Sequence, residues 1–200
     1  QTRLVRCVPR SDDNRVTASG SYDFGRQKDL DTGEKVTSVD NWTTQGKYDY
    51  FIHDSKWYAF ANALVAKDRI QDLNLRFIPG VGLGYQWIES PSMNFNTEAG
   101  LSWIYEDYAT QSTKEEIAAR LAYHFDKTLN TKVKFIHNME YIPGLQAGSG
   151  FLINTDAGVR ADMTDAMFLE AKVQLTFNSQ PAPGKSKEDV QYIFGVGWKF

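Results

Sequence analysis

Hydrophobic and polar residues alternate with a period of two along most of this chain. The cleanest stretch is 166–178, where Met167, Leu169, Ala171, Val173, Leu175 and Phe177 fall on one phase. Phe168, Glu170, Lys172, Gln174, Thr176 and Asn178 fall on the other. Successive side chains of a strand point to opposite faces, so this segment is a strand lying between two different solvents. The terminal stretch repeats the pattern, with Val190, Tyr192, Phe194, Val196, Trp198 and Phe200 opposed to Gln191, Ile193, Gly195, Gly197 and Lys199. The same split marks the segments beginning at Phe95, Ile117, Val133 and Phe151, and it persists more weakly over 15–26, 42–53 and 75–88. Segment 57–66 is apolar on both phases, which leaves its facing open. These patterns predict ten strands within 14–200, while 1–13, with Pro9, Arg3, Arg6 and Arg10, lacks alternation and is expected to be an irregular lead-in.

The predicted connections alternate in length. Short turns fall at 53–56, 89–93, 126–131 and 161–166; longer polar loops fall at 25–41, 67–74, 107–115, 142–150 and 178–189. Two-faced strands with short turns on one side and long loops on the other describe an antiparallel up-and-down transmembrane β-barrel of a bacterial outer membrane. The chain ends on the short-turn side, so both termini are expected in the periplasm. Aromatic rings favour the two lipid interfaces. Trp42, Trp103, Tyr141, Phe177 and Tyr192 are predicted at the outer level, and Trp87, Trp198 and Phe200 at the periplasmic one. The expected partners are outer-membrane lipid and, through the C-terminal strand, the barrel-assembly machinery.

Composition narrows this picture without changing it. Two hundred residues suit one domain, and a net charge of -3 from 22 basic and 25 acidic side chains offers no field for a nucleic-acid backbone. Low mean hydropathy does not oppose a barrel, because each spanning strand turns half its residues away from lipid. Cys7 is the only cysteine, which excludes an internal disulfide, and Arg6 before it fits a lipoprotein cleavage site poorly. The chain opens without a charged-then-apolar signal segment, leaving a mature form, a fragment or an unexported protein all open.

Several stretches resemble one family in combination: Gly46-Lys47-Tyr48-Asp49-Tyr50-Phe51, Lys67-Asp68-Arg69, Ile78-Pro79-Gly80-Val81-Gly82-Leu83-Gly84-Tyr85, Glu98-Ala99-Gly100-Leu101, Ala119-Arg120-Leu121-Ala122-Tyr123, Pro181-Ala182-Pro183-Gly184-Lys185 and Gly195-Val196-Gly197-Trp198-Lys199-Phe200. On these the chain, from about residue 15 to its end, is similar to the salt-induced outer membrane protein (YdiY-like) family, a bacterial domain of unassigned biochemical function. The resemblance implies an outer-membrane barrel exported with a cleaved signal, and it brings no catalytic residues. It also implies a further strand pair upstream of 15–26, making twelve in a complete barrel.

The polar phases define the candidate chemistry. Lys47, Arg76, Glu98, Glu106, Arg120, His124, Glu140, Asp156, Arg160, Glu170 and Lys172 are predicted to face the lumen, along with Asp49 and Lys134. Their mixed signs favour a salt-bridged plug or narrow wet lumen over a selective pore, which needs a ring of one sign. Ser102, His124 and Glu106 could be drawn as a hydrolase set, although any polar lumen offers such trios. His137 falls on the lipid phase, where neutral packing near an interface is expected. Gly80, Gly82 and Gly84 lack the helix and lysine of a phosphate loop and instead leave room for large neighbours or curvature. Asp29, Asp31 and Glu34 form an acidic loop that could hold a cation but is expected to be simply solvated. No catalytic, cofactor or metal site is assigned and no cofactor is expected; the oligomeric state is left open. The expected role is a non-enzymatic barrel, structural or a narrow, plugged pore. The alternatives are an outer-membrane enzyme acting on lipid or peptide, and a soluble ligand-binding barrel with its faces inverted.

Overall fold

The computed structural model describes residues 2–7, 13–28, 35–110, 112–181, 184 and 186–198, with backbone only for 2–7, 36 and 38. Its strands are β1 (Thr2–Cys7), β2 (Asn14–Lys28), β3 (Lys35–Phe51), β4 (Trp57–Asp68), β5 (Leu73–Glu89), β6 (Met93–Tyr108), β7 (Lys114–Thr128), β8 (Val133–Pro143), β9 (Phe151–Asp162), β10 (Met167–Asn178) and β11 (Glu188–Trp198). They form one sheet in sequence order, each strand antiparallel to the next, curled into a half-barrel. A tilted strand of roughly 9–11 residues crosses a bilayer. The strands from β2 to β11 hold 11–17 residues and meet that length.

The register keeps like faces together. Glu170 lies opposite Arg160 and Gln174 opposite Asp156, while the intervening Ala171 and Val173 face Val159 and Ala157. A slip of one residue would turn every charge to lipid, so the two-solvent pattern specifies the pairing strongly. Register shifts at Gly25/Arg26, Ala66/Asp68, Leu73/Leu75 and Gln86/Ile88 all sit near strand ends, where a bulge can bend the rim without breaking the central ladder. Short polar side chains close the tight turns. Asn130 Oδ1 accepts from the amides of Lys132 and Val133, and Thr164 Oγ1 from those of Ala166 and Met167.

Three features go beyond the sequence reading. The ten expected strands are present as β2 to β11, and among the described residues Thr2–Cys7 adds an eleventh, paired with β2, Thr2 opposite Tyr22 and Cys7 opposite Thr17. Backbone groups do this pairing, and an exposed ladder edge recruits a strand whether or not its side chains alternate. Second, β1 starts at the level of Tyr22 and descends toward the short-turn side. Third, the long loops are shorter than their polarity suggests, because β2 and β3 stay paired out to Lys28 and Lys35, and only 69–72 separates β4 from β5. Ladder hydrogen bonds continue beyond the apolar zone that sequence alternation reports. With eleven strands β1 and β11 run in the same direction, and among the described residues each has one neighbour. A wholly antiparallel sheet closes on itself only with an even number.

Candidate functional site

Alternation sorts the side chains onto two surfaces, and the inner one holds the candidate site. The outer surface carries Val81, Leu83, Leu101, Leu121, Val159 and Val173, all exposed. Rings lie toward its two margins: Phe77, Trp103 and Tyr105 touch in series near the long loops, as do Tyr141, Phe151 and Phe177. Trp57, Tyr85 and Trp87, and Phe95, Phe125 and Phe135, do the same near the short turns. Trp42, Tyr192 and Trp198 share the outer phase. His137 also lies on this surface, stacked 5.4 Å from Tyr123, with its Nδ1 2.9 Å from the Tyr123 hydroxyl. Phe200, Asp29, Asp31 and Glu34 fall outside the described residues.

The ambiguous segment, β4, turns Tyr58 and Phe60 inward and Trp57 outward, so the inner wall contains large rings. The glycines opposite explain why. A Cβ at Gly84 would overlap the Tyr58 ring, one at Gly82 would stand 2.7 Å from Phe60 Cζ, and one at Gly100 would stand 3.1 Å from it. Three positions without side chains on β5 and β6 make the volume into which two rings from β4 fold.

Around those rings the charges pair. Arg15 Nε donates to Asp49 Oδ2 at 2.8 Å, and Lys47 Nζ lies 2.8 Å from Asp49 Oδ1 while also bonding Glu98. Tyr58 donates its hydroxyl to Glu98 Oε1 at 2.7 Å. Arg120 donates from Nη1 to Glu98 Oε2 at 2.7 Å and from Nε to Glu140 Oε1 at 2.5 Å, with its guanidinium 4.9 Å from the Phe60 ring centre. Asp49 is fully buried, and Glu98 and Arg120 are each 8% exposed. Ions so enclosed persist only when paired and hydrogen-bonded, and cations over ring faces add to that.

Two further groups continue the pairing. Toward the long loops Arg76 donates to Glu106 Oε1 at 2.6 Å and Tyr108 to Glu106 Oε2 at 2.9 Å. Across β7 to β10, His124 contacts Asn138 and Asp126, Lys134 lies 2.5 Å from Asp126, and Asp156 accepts from Asn138 with Lys172 at 3.7 Å. Arg160 and Glu170 pair at 2.7 Å, with the guanidinium 4.1 Å from the Phe168 ring centre. Every lumen candidate from the sequence thus lies on this inner face and takes part in an acid–base contact. The hydrolase trio is not assembled. Ser102 pairs with Ala118 and His124 with Asn96, a separation of roughly 20 Å along the ladder, and Glu106 is engaged by Arg76 and Tyr108.

Sequence reasoning missed an apolar set on the same inner face: Ile78, Ile104, Ala118, Ile142 and Leu152 form one buried cluster with Leu64 against it. Their phase was readable in the alternation, but an isoleucine on a polar phase looks like an isolated exception until neighbouring strands align several. Among the described residues no group of His, Cys, Asp and Glu is placed to hold a metal ion.

Two solved structures share this architecture. The NanC porin matches over 99% of this chain and 92% of its own, with a TM-score of 0.64 and 11% identity. The outer membrane channel DcaP of Acinetobacter baumannii matches over 98% of this chain and 62% of its own, with a TM-score of 0.50 and 11% identity. At that identity the likeness speaks for the fold, an outer-membrane porin fold. No curated protein matches the sequence. The sequence profile described as "Protein of unknown function, DUF481" matches residues 6–200, and the chain belongs to that family.

Proposed function

We infer that the protein is an integral outer-membrane barrel whose interior is plugged or narrow, not an open diffusion pore. The observation that carries this reading is the inner face itself, where acids and bases neutralise one another and pack on the inward rings Tyr58 and Phe60. A selective pore needs unpaired charge of one sign or a defined wet constriction. In this orientation the short turns face the periplasm, the ring-lined margins sit at the lipid interfaces, and β11 is the strand presented to the assembly machinery. The NanC and DcaP likenesses support the outer-membrane setting, although those proteins are described as a porin and a channel.

The test is heat-modifiable migration in detergent followed by planar-bilayer recording. We expect folded protein to migrate differently from boiled protein and to give silent or small, infrequent currents. A monodisperse species without detergent would remove the membrane reading, and large steady ohmic currents would remove the plug. A second reading, an enzyme at the outer surface, gains support only if a lipid or peptide panel reveals hydrolysis that His124→Ala abolishes.

A further inference from the structure

We propose that the long-loop margin of β2, β3 and β4 is a docking surface for a phosphorylated glycolipid of the outer leaflet. The inference rests on the orientation given above, long loops outward, and is independent of whether the lumen conducts. On β2 the outward row runs through Tyr22, Phe24, Arg26 and Lys28, with both rings about half exposed and the Arg26 guanidinium 5.2 Å from the Phe24 ring centre. Across the ladder Tyr22 lies opposite Trp42, Trp42 opposite Lys67, and Lys28 opposite Lys35. Lys67 is thus level with the outer rings, and Arg26, Lys28 and Lys35 stand beyond them, where headgroups lie. Arg69, beside this row, is already held by Asp40. Among the described residues the other four cations have no carboxylate partner, in contrast to the paired cations of the inner face.

Directly opposed residues of an antiparallel pair stand about 4.5–5.5 Å apart at Cβ, and like charges there repel. Lys28 and Lys35 are such a pair, so an anion between their ammonium groups turns a repulsion into two charge-assisted bonds. The positive charge is local. At the same margin Asp107 lies opposite Leu75, Glu115 opposite Tyr105 and Glu188 opposite Phe177, so the outward phase of β6, β7 and β11 carries acids. An anionic headgroup is repelled there and drawn to β2–β4. Six residues of β2 separate the level of Lys67 from Lys28, roughly 20 Å along the strand. One phosphodiester headgroup does not reach both ends of such a row, whereas a sugar headgroup carrying several phosphates does.

The test uses the full chain folded in zwitterionic detergent, with folding read by heat-modifiable migration and lipid A as the probe. Lipid A retained through detergent exchange is counted on the intact protein by native mass spectrometry. The double variant Lys28→Gln with Lys35→Gln should bind it about thirtyfold more weakly, at about 1 kcal/mol for each lysine. Lys127→Gln, on the outward face at the opposite margin, should bind as wild type does. Lipid A stripped of its phosphates, phosphatidylglycerol and inorganic phosphate should each bind wild type at least about tenfold more weakly than lipid A. Equal binding of any of these, equal binding of lipid A by the double variant, or an equal loss in Lys127→Gln overturns the proposal. Stability supplies a sign to check. Without lipid the double variant, relieved of its repulsion, should unfold at the same urea concentration as wild type or a higher one, and with lipid A at a lower one; no reversal also overturns the proposal. If the double variant does not fold, the comparison of lipids on wild type decides alone. A wild type without a heat-modifiable form is a separate result, and it would sink the barrel reading itself.

Discussion

At Gly84 a single added carbon would strike the Tyr58 ring, and that ring bonds Glu98. Gly84→Ala should therefore cost about 1–3 kcal/mol of stability by overpacking, read by urea unfolding in detergent. Tyr58→Ala in the same chain should recover part of that loss, since the two changes share one volume. Charge burial sets a second contrast between residues. Arg120 stands between Glu98 and Glu140 and is almost buried, whereas Arg69 pairs with Asp40 at 2.9 Å with its own side chain 69% exposed. Arg120→Ala is expected to destabilise by about 3–5 kcal/mol, because it strands buried carboxylates. Arg69→Ala should cost less than about 1 kcal/mol, as solvent already screens that pair. Equal losses in the same unfolding assay would mean that the inner network is far wetter than its burial indicates.

Each strand has to satisfy lipid on one face and a packed polar interior on the other, and alternation is the only pattern that does both. The consequence is steep for outward residues at mid-strand. Leu101, opposite Val81 and Ala119, sits halfway along β6, so Leu101→Lys should destabilise the folded barrel in lipid by about 2–4 kcal/mol. Tyr105→Lys, near the outer end of the same strand, should cost no more than about 1 kcal/mol. Similar values at both sites would argue that β6 does not cross a bilayer in this orientation. At this scale most strands were legible, because β6 to β11 carry long alternation broken only by single apolar residues on the polar phase, such as Ile104 and Ile142. β4 was not: its two phases are both apolar, and its facing depends on glycines of β5 and β6 that are distant in sequence. β1 was missed because six residues joined by backbone bonds to β2 need no side-chain pattern.

The described strands form a single antiparallel sheet in sequence order, so the topology of the whole adds little beyond what hairpin connections require. Its inner face carries ion pairs along its length and an isoleucine-rich cluster on β4 to β9. Folding into this form should need an amphiphile, so dilution from urea into detergent or lipid vesicles should yield the heat-modifiable species, and dilution into buffer alone should yield aggregates. The sequence by itself determined which residues face each solvent along most strands, and hence the barrel class, because period-two alternation is a local property of an extended chain between two media. It also determined the mixed sign of the inner charges. Only the tertiary structure decided which acid meets which base, that Tyr58 and Phe60 turn inward, that His124 and Ser102 stand apart, and that single isoleucines on separate strands merge into one buried cluster. The physical reason is register: contacts across a ladder depend on how neighbouring strands are offset and how sharply the sheet curls, and neither offset nor curl is written in the period of any one strand.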